Sequence, residues 1–220
     1  MKKRTVIFGD YDTADNGWTL TGCALSAPEM KTNYVEKAGG DGSWDLSTAM
    51  TDGVPKYKDR SLVVTLECSE GTRAHREELI SEMMNTLDGL EWPIVLPDHP
   101  DHHLTGRVHI GVNYSDLAHA AVTVTCVCRP WLESQMERVL VRTAQAAEQE
   151  LVLINGGRRV LVPQIEVAGG DVQLRFGASH TQVSEGVYTW SALVLTPGVH
   201  KLRYSGSGTL TVSYREAVLR

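Results

Sequence analysis

The chain has 220 residues, of which 42% are hydrophobic and 22% are charged. This composition is typical of a folded, water-soluble protein with one large or two small domains, and it excludes a disordered chain. Twenty-seven acidic residues against 21 basic ones leave a net charge of −6, which argues against a protein that holds nucleic acid through a clustered basic face. Behind the basic residues 2–4 only Val6–Phe8 is apolar, so neither an export signal nor membrane insertion is expected.

Strands and one helix are predicted in the first half of the chain. The strand candidates are Arg4–Phe8, Ser61–Cys68, Val108–Val112 and Ala121–Cys128. In the last of these runs we expect the valines on one face and the threonines and cysteines on the other. Apolar residues at helical spacing over Thr72–Leu87 predict an α-helix packed on a sheet, with Thr72 as its cap. The four cysteines form no paired motif, so we expect them to be buried and reduced.

The second half of the chain is predicted to be a small β-sandwich, because short apolar runs alternate with glycine-containing turns. The predicted strands are Glu150–Asn155, Gln164–Val167, Val172–Phe176, Ala192–Leu195, Lys201–Tyr204 and Leu210–Tyr214. Residue propensities alone predict a helix over Glu133–Glu150. The change in composition after Leu132 places a domain boundary there, which gives domains 1–132 and 133–220.

One histidine-rich stretch, Pro97–His103, has side chains suited to metal binding, since imidazole and carboxylate groups bind zinc and similar ions. Its prolines and its lack of helical ligand spacing favour a solvated loop without a physiological metal. The chain has no G-x-S-x-G motif and no carboxylate pair in a glycosidase context. We therefore expect neither an enzyme nor a cofactor.

An ordered series of residues runs through nearly the whole chain. It comprises Phe8-Gly9, Trp18, Leu20, Pro28-Glu29, Gly40–Ser47, Tyr57, Arg60, Pro130-Trp131, Asn155, Gly157, Pro163, Tyr188, Pro197-Gly198 and Tyr214-Arg215. In order and spacing this series resembles the distal tail (Dit-type) proteins of phages with long, non-contractile tails. Pro130 and Trp131 resemble that family's domain junction.

The resemblance implies a fold that is mainly β. Its N-terminal domain is a β-barrel or sandwich with one packed helix, and its C-terminal domain is a galectin-like or carbohydrate-module-like β-sandwich. It also implies that Arg138–Arg142 and Glu150–Asn155 are strands, and we follow it against the helical propensity of this region.

The function implied by the resemblance is structural, with no enzymatic activity. The protein is expected to be made in the host cytoplasm and to join the virion tail tip. There it forms a hexameric ring between the tail tube protein and the baseplate hub, with its fibre or receptor-binding proteins for host attachment. DNA only passes through the central channel, and an acidic channel wall would repel it.

Eight residues are candidates for the interfaces of such a ring. Glycine permits backbone angles that suit a tight loop beside a neighbour, which points to Gly40, Asp41 and Gly42, although a plain surface turn is the alternative. Tryptophan is enriched in interfaces, which points to Trp44, Trp131 and Trp190, with Trp92 as a further anchor; for each, a core position is the alternative. Tyr57 and Arg60 complete the set as part of the resembling series.

Two other functions stay open. In the first, the C-terminal sandwich is a module that binds a cell-surface carbohydrate or an adhesin through an exposed aromatic residue, Tyr188 or Trp190. In the second, the chain is a metal-dependent hydrolase centred on the His99–His109 stretch, with His102 as a ligand.

Overall fold

A computed structural model describes residues 4–113 and 120–220. The chain divides into two compact units, one that ends at Pro130 and one formed by Trp131–Leu219. The sequence-based boundary after Leu132 lies two residues further along the chain. Strands account for 53% of the residues and helix for 7%, which confirms the prediction of a mainly β fold.

The first unit is an antiparallel sheet with one helix. Its elements are β1 Ile7–Phe8, β2 Tyr11–Asp12, β3 Thr19–Leu25, β4 Tyr34–Glu36, β5 Ser43–Asp45, β6 Arg60–Cys68, α1 Arg73–Leu87, β7 Glu91–Leu96, β8 His99–Asn113 and β9 Ala120–Cys128. The sheet has the strand order β2-β1-β7-β8-β9-β6-β3, while β4 and β5 pair only with each other among the described residues. The non-sequential order brings β6 and β9 together in the sheet interior, where both strands are paired on each side.

Strands β6 and β9 are paired in register from Arg60↔Cys128 to Cys68↔Ala120. Their even-numbered residues are buried, which places Cys126 and Cys128 on the same face as Val122 and Val124. The expectation that the cysteines share the threonine face was therefore wrong, because residues two apart in a strand point to the same side. All four cysteines are free, and all except the half-buried Cys23 are buried, as expected.

Helix α1 begins where the sequence predicts. The side chain of Thr72 accepts a hydrogen bond from the backbone N–H of His75 at 3.3 Å, which caps the first turn. Ile80, Met83 and Leu87 form the buried stripe of the helix, which packs against β8 and β9. Met84, predicted as part of the apolar face, remains 36% exposed. The methionine on the buried stripe is thus core packing.

The histidine-rich stretch is a hairpin rather than the loop that its prolines predict. A turn joins β7 to β8, and β8 starts at His99, opposite Leu96. The register shifts between the pairs formed by Ile94 and Leu96. Pro100 is tolerated because an irregular ladder of this kind does not require its missing N–H.

The second unit contains two four-stranded antiparallel sheets. Its elements are β10 Leu132–Ser134, β11 Arg138–Thr143, β12 Gln149–Asn155, β13 Gln164–Ala168, β14 Val172–Phe176, β15 Ser179–Val183, β16 Gly186–Thr189, β17 Gly198–Gly206, β18 Thr209–Tyr214 and β19 Ala217–Val218. One sheet has the order β11-β18-β13-β16 and the other β12-β17-β14-β15. Alternate residues of both sheets meet in one core that includes Leu153, Ile165, Leu202 and Val212. This is a β-sandwich.

Residues 133–150 form strands β10 and β11 and the start of β12, so the resemblance was right where propensity alone was not. Strand β11 pairs with β18, and strand β12 pairs with β17, each along its full length. This pairing overrides the weak preference of these residues for helix. The prediction of a strand over Ala192–Leu195 was wrong. Leu193 and Leu195 are buried in the core, which produces a strand-like alternation, but only Leu195 forms a bridge, with Leu161.

Two buried polar side chains stabilise the sandwich through hydrogen bonds to the backbone. The hydroxyl of Tyr214 on β18 donates to the carbonyl of Ile154 on β12 at 2.8 Å and accepts from the N–H of Ile154 at 3.1 Å. It thereby joins the two sheets. The side-chain amide of Asn155, 1% exposed, donates to the carbonyl oxygens of Arg159 at 2.8 Å and Leu195 at 3.0 Å. These bonds hold two irregular segments against the core without leaving the amide unsatisfied.

Candidate assembly surface

A long segment, residues 26–59, connects β3 to β6 outside the first unit's main sheet. None of its residues is buried. We call this segment the arm. Its ends lie side by side because β3 and β6 are paired, with Leu25 opposite Leu62. The arm therefore adds no side chain to the buried core, and backbone hydrogen bonds within the arm give it its shape.

The base of the arm is a short ladder between its outgoing and returning chains. Met30 forms an antiparallel bridge with Tyr57. The N–H of Lys31 donates to the carbonyl of Lys56, and the N–H of Lys58 donates to the carbonyl of Glu29, each at 2.8 Å. The side chains of Lys58 and Glu29 also form an ion pair. Tyr57, one of the predicted interface residues, thus lies half-buried in this base.

Further along the arm, β4 and β5 form a hairpin, in which Val35 lies opposite Trp44. The connecting loop contains the predicted glycine cluster. Gly39 and Gly42 have φ angles of 72° and 76°, in the left-handed region that disfavours other residues. Gly40 donates its N–H to the carbonyl of Lys37 at 3.3 Å, and Asp41 is exposed between the glycines. The structure thus explains the glycines by turn geometry.

The arm exposes several large apolar side chains. Tyr34 is 61% exposed, Trp44 59% and Met50 98%, and Val35 and Leu46 are also exposed. Large apolar side chains that an isolated chain leaves in contact with water commonly mark a contact site for another molecule. Trp44 is the one of these residues that the sequence analysis had identified.

Arg60 lies inside the root of the arm rather than on its surface. It is 3% exposed, and its Nε donates to the carbonyl of Ser26 at 2.7 Å. Its Nη1 is buried and makes no hydrogen bond with any of the described residues. Burial lowers the pKa of the guanidinium, although arginine stays charged at physiological pH. Its burial argues against Arg60 as an interface residue in the way the sequence analysis expected. Arg60 instead stabilises the point where the arm joins the sheet.

The other tryptophan candidates are less exposed than Trp44. The indole of Trp92 covers Gly9, where an added Cβ would lie 2.6 Å from the indole Cε3, so Trp92 packs within the first unit. Trp190 is half-buried against the core of the second unit. Trp131 is half-buried at the start of that unit. Among the tryptophans, the core alternative thus describes Trp92 and Trp190 better than the anchor alternative.

The histidines of the β7–β8 hairpin do not assemble a donor set. Within residues 4–113 and 120–220, no group of three or more histidine, cysteine or acidic side chains has metal-binding geometry. Burial lowers the pKa of His102, which favours its neutral form. No helix of the described chain is long and apolar enough to span a membrane.

The fold of this chain is similar to that of a phage protein of known structure. The crystal structure of SPP1 Dit (gp 19.1) is similar over 98% of this chain and 99% of that chain, with a TM-score of 0.68 and 18% sequence identity. That protein is described as a paradigm of the hub adsorption apparatus in phages that infect Gram-positive hosts. No family model and no curated protein matches the sequence. The resemblance to Dit-type proteins is thus confirmed at the level of the fold.

Proposed function

We propose that this protein is a structural, non-enzymatic hub of a phage tail that acts as a closed ring of identical subunits. The observation that carries the proposal is the structural similarity to a hub adsorption protein across almost the full length of both chains. A similarity confined to one β-sandwich would be compatible with many functions, since such folds host unrelated activities. A similarity that covers both units is far more restrictive.

The arm provides a physical reason for self-association. Its apolar side chains, above all Trp44, Tyr34 and Met50, gain stability only when another surface covers them. A contact between the arm of one subunit and a different surface of the next is heterologous, and such contacts generate a ring when the rotation closes. Six copies is the number that the resemblance implies, and we adopt it. In this proposal the hairpin end of the arm, with the turn at Gly39–Gly42, belongs to this contact.

The ring would occupy the tail tip of the virion. One face would bind the tail tube protein, and the other would bind the tail-tip or baseplate proteins and the fibre or receptor-binding proteins. DNA would pass through the channel without being held there, which agrees with the net charge of −6. The second unit would lie outside the channel and be available for host attachment.

The structure offers less support for the two alternative functions. Tyr188 is 36% exposed, but its hydroxyl donates to the carbonyl of Glu185 at 3.3 Å, and Trp190 packs on the core. The contacts of both residues are thus accounted for within the second unit. A hydrolase centred on His102 would need converging ligands, and none of the described groups supplies them.

The test of the proposal is the oligomeric state of the purified chain. Light scattering coupled to size-exclusion chromatography should give a mass close to six subunits at micromolar concentrations, and electron micrographs of the peak should show annuli with a central hole. A chain that stays monomeric at the highest soluble concentration and produces no annuli would contradict the proposal. A twofold-symmetric dimer would contradict it equally, because an isologous contact uses the same patch on both subunits and cannot build a ring.

A further inference from the structure

The second unit has a groove of about 360 Å³ on the outer face of the β12-β17-β14-β15 sheet. Residues of β14, β15 and β17 line it, together with Glu148. Leu174 and Tyr204 contribute to the lining but are 1% and 3% exposed, so their side chains belong to the core beneath. The exposed lining is therefore polar, and no exposed aromatic side chain belongs to it.

Three basic side chains cross this groove in a row. Arg175 on β14 lies directly opposite Arg203 on β17 on one side and His180 on β15 on the other. All three are exposed on the same face. Like charges placed directly opposite each other on neighbouring strands are destabilising. The repulsion between Arg175 and Arg203 therefore lowers the stability of the sandwich, and neither side chain is part of its core.

Among the described residues, acidic groups compensate this row only at one end. Arg203 reaches Glu148 at 3.5 Å, and Glu150, opposite Arg203, pairs with Lys201 at 2.8 Å. Among the residues that the structure describes, no hydrogen bond or ion pair reaches the side chain of Arg175 or His180. Arg175 thus presents a guanidinium without a partner in the middle of the groove, between two other basic groups.

A second row, parallel to the basic one, carries amide and hydroxyl groups. Gln173 on β14 lies opposite Gln182 on β15 and opposite Ser205 on β17. All three line the groove. Side-chain amides and hydroxyls donate and accept hydrogen bonds with hydroxyl groups, whereas guanidinium groups bind phosphate and carboxylate in a bidentate manner. The two rows together match a ligand that carries both hydroxyl groups and negative charges.

We propose that this groove binds an anionic carbohydrate or polyol chain, in which phosphate or carboxylate groups contact Arg175 and Arg203 and hydroxyl groups contact Gln173 and Gln182. The arginines attract the anion through charge, and the amide row offers hydrogen bonds to the hydroxyl groups of the chain. The lack of an exposed aromatic platform in the lining excludes recognition of neutral sugars by stacking. The proposal depends only on the second unit's residues and is independent of the ring.

Calorimetric titration of the full chain tests the proposal with a poly(glycerol phosphate) oligomer and an oligogalacturonate, and with a neutral dextran oligomer of equal length for comparison. We expect at least one anionic oligomer to bind and the dextran not to bind. Affinity should fall as salt is raised, because screening weakens the contact. Arg175→Gln and Arg203→Gln should each weaken binding about tenfold or more, since each removes a charge-assisted hydrogen bond.

The matched control is Arg142→Gln, which removes the same charge from β11 of the other sheet. It should leave binding unchanged. Without ligand, Arg175→Gln should melt at the same temperature as the wild type or slightly above it, since it relieves the repulsion with Arg203. A merely structural arginine would lower the melting temperature instead.

Several results would overturn the proposal. Equal binding of dextran, equal loss of affinity in Arg142→Gln, or no binding of either anionic oligomer would each do so. Inorganic phosphate that saturates the groove as tightly as the oligomers would reduce it to an ion site only, and oligoglutamate bound as tightly would indicate a protein partner instead. The preference between the two oligomers tells phosphate from carboxylate. Light scattering on the same samples keeps a failure of ring formation separate from a failure of binding.

Discussion

Replacement of Trp44 by alanine should disrupt self-association without unfolding the subunit. A tryptophan contributes about 150–250 Å² of contact surface. Because Trp44 is 59% exposed in the isolated chain, roughly 90–150 Å² remains for a neighbour to cover. At about 25 cal/mol per Å², burial of that area is worth about 2–4 kcal/mol for each subunit contact. Alanine should therefore raise the dissociation constant of the contact about 30- to 900-fold.

The assay is light scattering over a dilution series, with the melting temperature measured on the same samples. Trp44→Ala should shift assembly to higher concentration, while the monomer loses at most about 2–3 kcal/mol of unfolding free energy and stays folded, since the residue lies opposite Val35 on the arm hairpin and outside the buried core. Met136→Ala is the control, because Met136 is 81% exposed but lies in the second unit. Assembly of Trp44→Ala at the wild-type concentration would refute the reasoning that the arm covers a neighbour.

Three further predictions concern stability. Tyr214→Phe should cost about 1–2 kcal/mol in denaturant unfolding, because it removes both hydrogen bonds to Ile154; an unchanged midpoint would show that the inter-sheet bridge is not formed. Leu153→Ala, at a fully buried position, should cost about 2–5 kcal/mol, whereas Val152→Ala, 45% exposed on the next position of the strand, should cost less than about 1 kcal/mol; similar losses in both would contradict the assigned faces of β12. Thr72→Ala should cost about 1 kcal/mol through the lost helix cap, measured by thermal unfolding against Ser81→Ala as control.

The sequence by itself determined the elements whose pattern is local. The alternation in β6 and β9 and the helical spacing of Ile80, Met83 and Leu87 indicate the correct structures, since each pattern records one face that must avoid water. The backbone preferences of turn residues are equally local, so the glycines at 39 and 42 predict a tight loop. The ordered series of residues also indicated a fold similar to that of SPP1 Dit.

Only the tertiary structure decided which residues face water and which strands adjoin. Nothing in the local pattern shows that residues 26–59 contribute no buried side chain, or that Arg60 lies inside the root of the arm. The alternation of Leu193 and Leu195 resembles a strand although the core, not a sheet, buries them. The basic row needs three strands aligned in register, with Arg175 between Arg203 and His180. Such pairings join residues far apart in the chain, and they depend on loop closure and packing across the whole unit rather than on the preference of any short segment.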